Sequence, residues 1–283
     1  MDLHVKRVIM AASNPLPYVV SESARKRHIM NTAPLRYFLS AVMAGGLIAV
    51  VLVVSLLLGQ ALHLAGSPMY YAASAGFFGT ALCTIIVSKT ELFTSNVMYM
   101  AVGVLSRRVS WKELGKSWLL VYAGNFIGAL LLALMYAQTG ALAHLPADHL
   151  LFDVIAHKTH ADSWAIFWKG ALCNWIICLA VWVPLRLSND MAKLAMTMLL
   201  VFVFFFSGYE HSIANMAFFS LSWFASSGVT PDWAATLHNL IPATLGNIVG
   251  GAIGVAALNF YLERDTLAEE STAVQGEVAL ARS

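Results

Sequence analysis

Charge is scarce in this chain. Of its 283 residues only 11% are Asp, Glu, Lys or Arg, while 59% are hydrophobic. A soluble domain carries roughly 25% charged residues. The deficit, with a mean hydropathy of +0.71, excludes a solvent-covered globule and implies a surface in contact with lipid. The net charge of +2 is too small to suggest nucleic acid. Cysteine is nearly absent. Cys83, Cys173 and Cys178 lie inside apolar runs and form no Cys-x-x-Cys pair. That excludes a disulfide framework and a zinc site, and leaves three small buried residues. No metal or cofactor is expected. A cleavable signal pattern is also missing. The first apolar run starts near Tyr37, after a charged tail, and is too long for a signal h-region. It is expected to remain as the first span.

Long apolar runs fill the chain instead. Spans are placed at 36–59, 70–104, 114–138, 163–185, 191–226 and 236–262, against the roughly 20 residues that one helical crossing needs. Residues 1–33 read as a polar tail, with a weak pattern for an amphipathic helix on the membrane surface. Residues 34–262 form one six-span domain, and 263–283 read as a short disordered tail. Basic residues cluster in the N-terminal tail (Arg25, Lys26, Arg27), the second gap (Arg107, Arg108, Lys112, Lys116) and the fourth (Arg186, Lys193). The first and fifth gaps have no lysine or arginine, and the third has only Lys158. Basic loops stay cytoplasmic, so both termini are expected inside.

Segments 70–104 and 191–226 are too long for one straight crossing and are polar in the middle, so both are read as broken helices. They also match each other. Ser88, Glu91 and Asn96 recur as Ser207, Glu210 and Asn215, all at an offset of 119 residues. In the following spans Gly124-Asn125-x-x-Gly128 recurs as Gly246-Asn247-x-x-Gly250. A repeat of three spans (34–140 and 160–262) inverts the second copy relative to the first. In such folds the broken helices meet near the midplane and form a solute site. Unwound backbone is tolerated there only against protein or a wet cavity.

His211 lies well inside a span and within a break, so it is the first candidate for chemistry. It can donate a hydrogen bond to an anion or exchange a proton with it; a neutral ring tying two helices together is the other reading. Glu91 and Glu210 are expected to accept hydrogen bonds from backbone amides freed by each break, with a proton relay through Glu210 as the alternative. Asn125 and Asn247 either tie helices together or line a path. His144, His149, His157 and His160 read as a solvated loop in the third gap. Beside them Lys158 is placed to draw anions to an outer vestibule.

The segments 169–182 (Lys-Gly-Ala-Leu-Cys-Asn-Trp-Ile-Ile-Cys-Leu-Ala-Val-Trp) and 207–216 (Ser-Gly-Tyr-Glu-His-Ser-Ile-Ala-Asn-Met) resemble signatures of the formate/nitrite transporter family. So do 91–95 (Glu-Leu-Phe-Thr-Ser) and 239–247 (Asn-Leu-Ile-Pro-Ala-Thr-Leu-Gly-Asn). The likeness runs from 36 to 262, and Leu221-Ser222-Trp223-Phe224 brings it nearest to the nitrite branch. It implies an all-α, aquaporin-like protomer with broken second and fifth helices. It further implies a homopentamer in the inner membrane, one pore per subunit, and passage of nitrite, formate or hydrosulfide. The family's central histidine matches His211, and its span-two threonine matches Thr94. Its vestibule lysine matches Lys158, and its asparagines match Asn174 and Asn247. Its hydrophobic constrictions match Phe78, Leu82, Leu92, Phe93 and Phe204. Lys89-Thr90 departs from the small residues usual before the acid of the first break. Two rival classes stay open. A neutral-solute channel lacks paired Asn-Pro-Ala motifs, and a membrane enzyme lacks a second mid-membrane histidine or a metal cluster.

Overall fold

A computed structural model describes residues 14–226, 230–265 and 267. Every regular element among them is helical. The first is α1, Pro15–Thr32, capped by Asn14, whose Oδ1 accepts from Leu16 N at 3.0 Å. It lies in the segment read as a polar tail with a weak helical pattern. Leu16, Val19, Ser23, Lys26 and Met30 repeat at helical spacing and are all buried. The helix therefore docks on the bundle, against the helix Phe93–Leu105. Residues 1–13 of that tail, and most of the expected tail 263–283, lie outside the described residues.

Among the described residues, five helical runs are long and apolar enough to cross a membrane: Pro34–Leu64, Tyr70–Ser88, Trp111–Gln138, Ser163–Arg186 and Trp233–Asp265. The expected span 191–226 is divided into Asp190–Phe206 and Ser212–Trp223. We label the remaining helices in order: α2 (Pro34–Leu64), α3 (Tyr70–Phe78), α4 (Thr80–Ser88), α5 (Phe93–Leu105), α6 (Trp111–Gln138), α7 (Leu150–His160), α8 (Ser163–Trp182), α9 (Asp190–Phe206), α10 (Ser212–Trp223) and α11 (Trp233–Val249). The helical path of α11 continues through a π-helical stretch, Gly250–Ala257, to Asp265. Helix α7 corrects the loop expected in the third gap. Leu151, Phe152 and Ile155 bury one face of it, and His149 caps it by accepting from Leu151 N at 3.2 Å. Burial holds that imidazole below the usual histidine range, against the opposite pull of Asp148 and Asp153.

Two helix crossings dominate the packing, α2 against α6 and α8 against α11. Both depend on glycine. A Cβ on Gly128 would lie 1.8 Å from the Val42 carbonyl oxygen, and one on Gly246 would lie 2.1 Å from that of Phe167. The backbones approach closely because no side chain intervenes.

Between α4 and α5 the helix opens at 89–92, and between α9 and α10 at 207–211. Each opening turns through a left-handed residue, Lys89 at φ 54° and Gly208 at φ 66°. Glycine adopts that conformation freely, whereas a side-chain-bearing residue pays about 1–2 kcal/mol. Lys89→Gly is therefore expected to leave thermal stability unchanged or slightly higher. Lys89→Val, with a β-branched side chain at positive φ, is expected to lower it by about 1–2 kcal/mol. Unfolding curves in detergent compare the two; a Val variant as stable as the Gly variant would contradict the strain.

Candidate functional site

Both openings are braced by the same arrangement. Asn125 Oδ1 accepts from the freed Phe93 N–H at 2.8 Å, and its Nδ2 donates to the carbonyls of Ala41 and Glu91. Asn247 Oδ1 accepts from Ser212 N–H at 2.9 Å, and its Nδ2 donates to Gly170 O and Glu210 O. An unpaired buried amide would cost about 1–3 kcal/mol, so a side-chain amide with both donor and acceptor suits each gap. Asn174 joins the two: its Nδ2 donates to Thr94 O at 3.1 Å and to Asn247 O at 2.6 Å. Asn174 and Asn247, matched by resemblance to path residues, thus bond to backbone.

The carboxylates hold a different set of partners from the one expected. Glu91 and Glu210 bond to side chains, because the asparagines already serve the free amides. Glu91 Oε2 accepts from Lys26 Nζ at 2.6 Å and from Asn96 Nδ2 at 2.9 Å. Glu210 Oε2 accepts from Lys158 Nζ at 2.8 Å, from Asn215 Nδ2 at 2.6 Å and from Asn239 Nδ2 at 3.3 Å. Lys158 is thus a cation paired with Glu210 at the rim of a cavity. Sequence reasoning counted Lys26 only among the basic residues of the tail and did not foresee its pairing with Glu91. It also saw Asn96 and Asn215 as repeat markers without giving them this role. The two lysines occupy corresponding positions, each on a short helix directly before a long one, α1 before α2 and α7 before α8.

His211 caps α10. Its Nδ1 accepts from Ala214 N–H at 3.0 Å, so in the neutral ring the proton sits on Nε2. Nε2 lies 3.1 Å from Thr94 Oγ1 and donates to it. The threonine hydroxyl then keeps its own proton to offer. Phe204 stacks on the imidazole at 5.7 Å between ring centroids, and Phe78 meets Phe204 edge-on at 6.2 Å. A cavity of about 70 Å³ reaches the ring, lined by Lys158, Phe204, Tyr209, His211, Asn215 and Phe218. In the first opening Leu92 takes the place of His211, and Phe93 packs edge-on to Tyr122 at 4.9 Å. Leu82, Leu92 and Phe93 are all buried. A buried hydroxyl donor backed by an imidazole and ringed by apolar side chains, with a lysine at the rim, suits a small anion that sheds water as it enters.

The formate/nitrite transporter family model matches residues 18–261. The nitrite transporter NirC of Escherichia coli is 36% identical over 238 residues, 82% of this chain and 85% of NirC. Among solved structures, an FNT family ion channel superposes with a TM-score of 0.82 at 31% identity, covering 87% of this chain and 98% of that one. A pentameric formate channel with formate bound superposes with a TM-score of 0.67 at 29% identity, covering 81% and 97%. The chain belongs to the formate/nitrite transporter family.

Proposed function

We propose that this member of the family is a multi-pass inner-membrane channel for small monovalent anions, nitrite foremost, with both termini cytoplasmic. It would work as a homopentamer with a pore in each subunit, as the likeness to the pentameric formate channel suggests. Six spans in two inverted repeats would form that pore. The matching asparagine braces and Lys–Glu–Asn sets support such a repeat and extend it to include α1 and α7. Formate is the second reading, carried by the same structural likeness.

The observation that carries the proposal is the His211–Thr94 pair, 3.1 Å apart and buried between the two openings. The anion enters over Lys158, whose charge offsets part of the dehydration cost. The phenylalanine and leucine necks disfavour water and charge together. Protonation of the weak-acid anion gives a neutral form that passes them. An imidazolium carries protons on both nitrogens, and an Nδ1–H would face the Ala214 N–H. His211 therefore serves as a hydrogen-bond donor, and the proton comes from vestibule water. Asn174 and Asn247 hold the donors in place. Glu91 and Glu210 anchor the lysines.

Competitive uptake of nitrite, formate and hydrosulfide into proteoliposomes at two pH values tests this. Nitrite is expected to dominate, with faster uptake at the lower pH. His211→Phe removes the N–H that holds Thr94 Oγ1 and aims the threonine proton at the anion, a hydrogen bond of about 0.5–1.5 kcal/mol, so uptake should fall roughly 2- to 13-fold. Solute-independent osmotic swelling would instead identify a neutral-solute channel. Undiminished pH-dependent uptake by His211→Phe would remove the histidine from the mechanism.

A further inference from the structure

A second cavity, of about 370 Å³, lies far from His211 in sequence, at the turn between α5 and α6. Three arginines line it: Arg107 and Arg108 from the turn, and Arg27 from α1. Arg27 donates to the Arg108 carbonyl at 2.7 Å, which ties α1 to the turn. The one acid in the cavity wall is Glu113, and it is engaged elsewhere. Its Oε2 accepts from Ser110 N and Ser110 Oγ, both at 2.9 Å, and its Oε1 accepts from Asn31 Nδ2 at 2.9 Å. Its contact with Arg27 is long, 3.8 Å. The guanidiniums of Arg107 and Arg108 are exposed and have no hydrogen-bond or ion-pair partner among the described residues.

The surroundings define what fits. Trp111, also on the cavity wall, is 74% exposed, and Leu105 and Leu119 nearby are exposed as well. The turn joins two apolar helices, so it marks the level where hydrocarbon gives way to headgroups, and tryptophan favours that level. Guanidinium forks match phosphate oxygens in geometry and charge. We propose that this cavity binds the phosphate of an anionic phospholipid headgroup from the cytoplasmic leaflet. The bound phosphate bridges Arg27 to Arg107 and Arg108, and so clamps α1 onto the bundle. Arg27 adjoins Lys26, so the clamp also steadies the Lys26–Glu91 pair at the first opening. The inference rests on the membrane placement proposed above and is independent of which anion the pore carries.

The test compares the wild-type protein with an Arg107→Asn/Arg108→Gln variant. Arg107 sits at φ 59°, a conformation that asparagine tolerates, so the exchange leaves the turn intact. Native mass spectrometry from mixed micelles of phosphatidylglycerol and phosphatidylcholine measures the retained lipid. Wild type is expected to keep phosphatidylglycerol preferentially, and the variant to lose about 10- to 30-fold of that preference. Nitrite uptake in phosphatidylcholine liposomes should be the same for both proteins, which reports folding and pore function separately. Equal retention of the two lipids by wild type overturns the site. So does an undiminished preference in the variant. A thermal shift from inorganic phosphate as large as that from phosphatidylglycerol would make it a soluble-anion site and overturn the lipid assignment.

Discussion

Lys158→Met is expected to destabilise the protein by about 3–5 kcal/mol and to abolish anion uptake. The side chains of Lys158 and Glu210 are only 11% and 7% exposed, so water screens the pair poorly. Removing the ammonium leaves a buried carboxylate whose remaining donors, Asn215 and Asn239, are neutral. Glu210→Gln alone should be similarly harmful, because it strands the cation. The two substitutions together remove both charges. Glutamine can still accept from Asn215, and methionine fills the lysine's apolar path over the Phe218 ring. The double variant should therefore recover most of the lost stability while uptake stays low, since the positive charge at the cavity rim is gone. Thermal unfolding and liposome uptake of the three variants, read as a double-mutant cycle, measure this. Single variants as stable as wild type would show that the pair carries no buried charge.

The glycine crossings set the second large effect. Gly128→Ala and Gly246→Ala each place a methyl about 2 Å from a carbonyl oxygen, well inside contact distance. The obstacle is backbone on both sides, so no side chain can swing away. The helices must part, and overpacking of this kind costs about 1–3 kcal/mol or more. Gly115 on α6 is the control. It is exposed, and a Cβ added there would meet nothing within 4 Å. Alanine at that position should gain about 0.5–1 kcal/mol from helix propensity. A Gly246→Ala protein with wild-type thermal stability and uptake would mean that the α8–α11 crossing yields easily.

The two openings were legible because a helix too long for the bilayer, with polar residues at its centre, cannot run straight through lipid. The paired asparagines were legible as a repeat, since each stands in the same setting in its half. The ion pairs were not. Lys26 lies among Arg25 and Arg27, and sequence alone does not separate a cation that turns inward from two that face water. What could have separated it is the stripe Leu16, Val19, Ser23, Lys26, Met30, where the lysine takes an apolar position in a 3–4 spacing. Helix α7 was hidden in the same way: its histidines and lysine drew attention from Leu151, Phe152 and Ile155. Polar residues that fold inward to meet one another look like loop until their partners are known.

Asn174 carries a mechanical consequence. Its amide holds Thr94 O, from the first half of the chain, and Asn247 O, from the second. Asn174 belongs to the second half, so a carrier that rocked one half against the other would break its Thr94 bond at every cycle, in a buried place where water cannot replace it. The fork favours a stationary frame. In such a frame turnover would depend on side-chain and solute motions of nanoseconds, free of the microsecond-to-millisecond ceiling that moving domains impose.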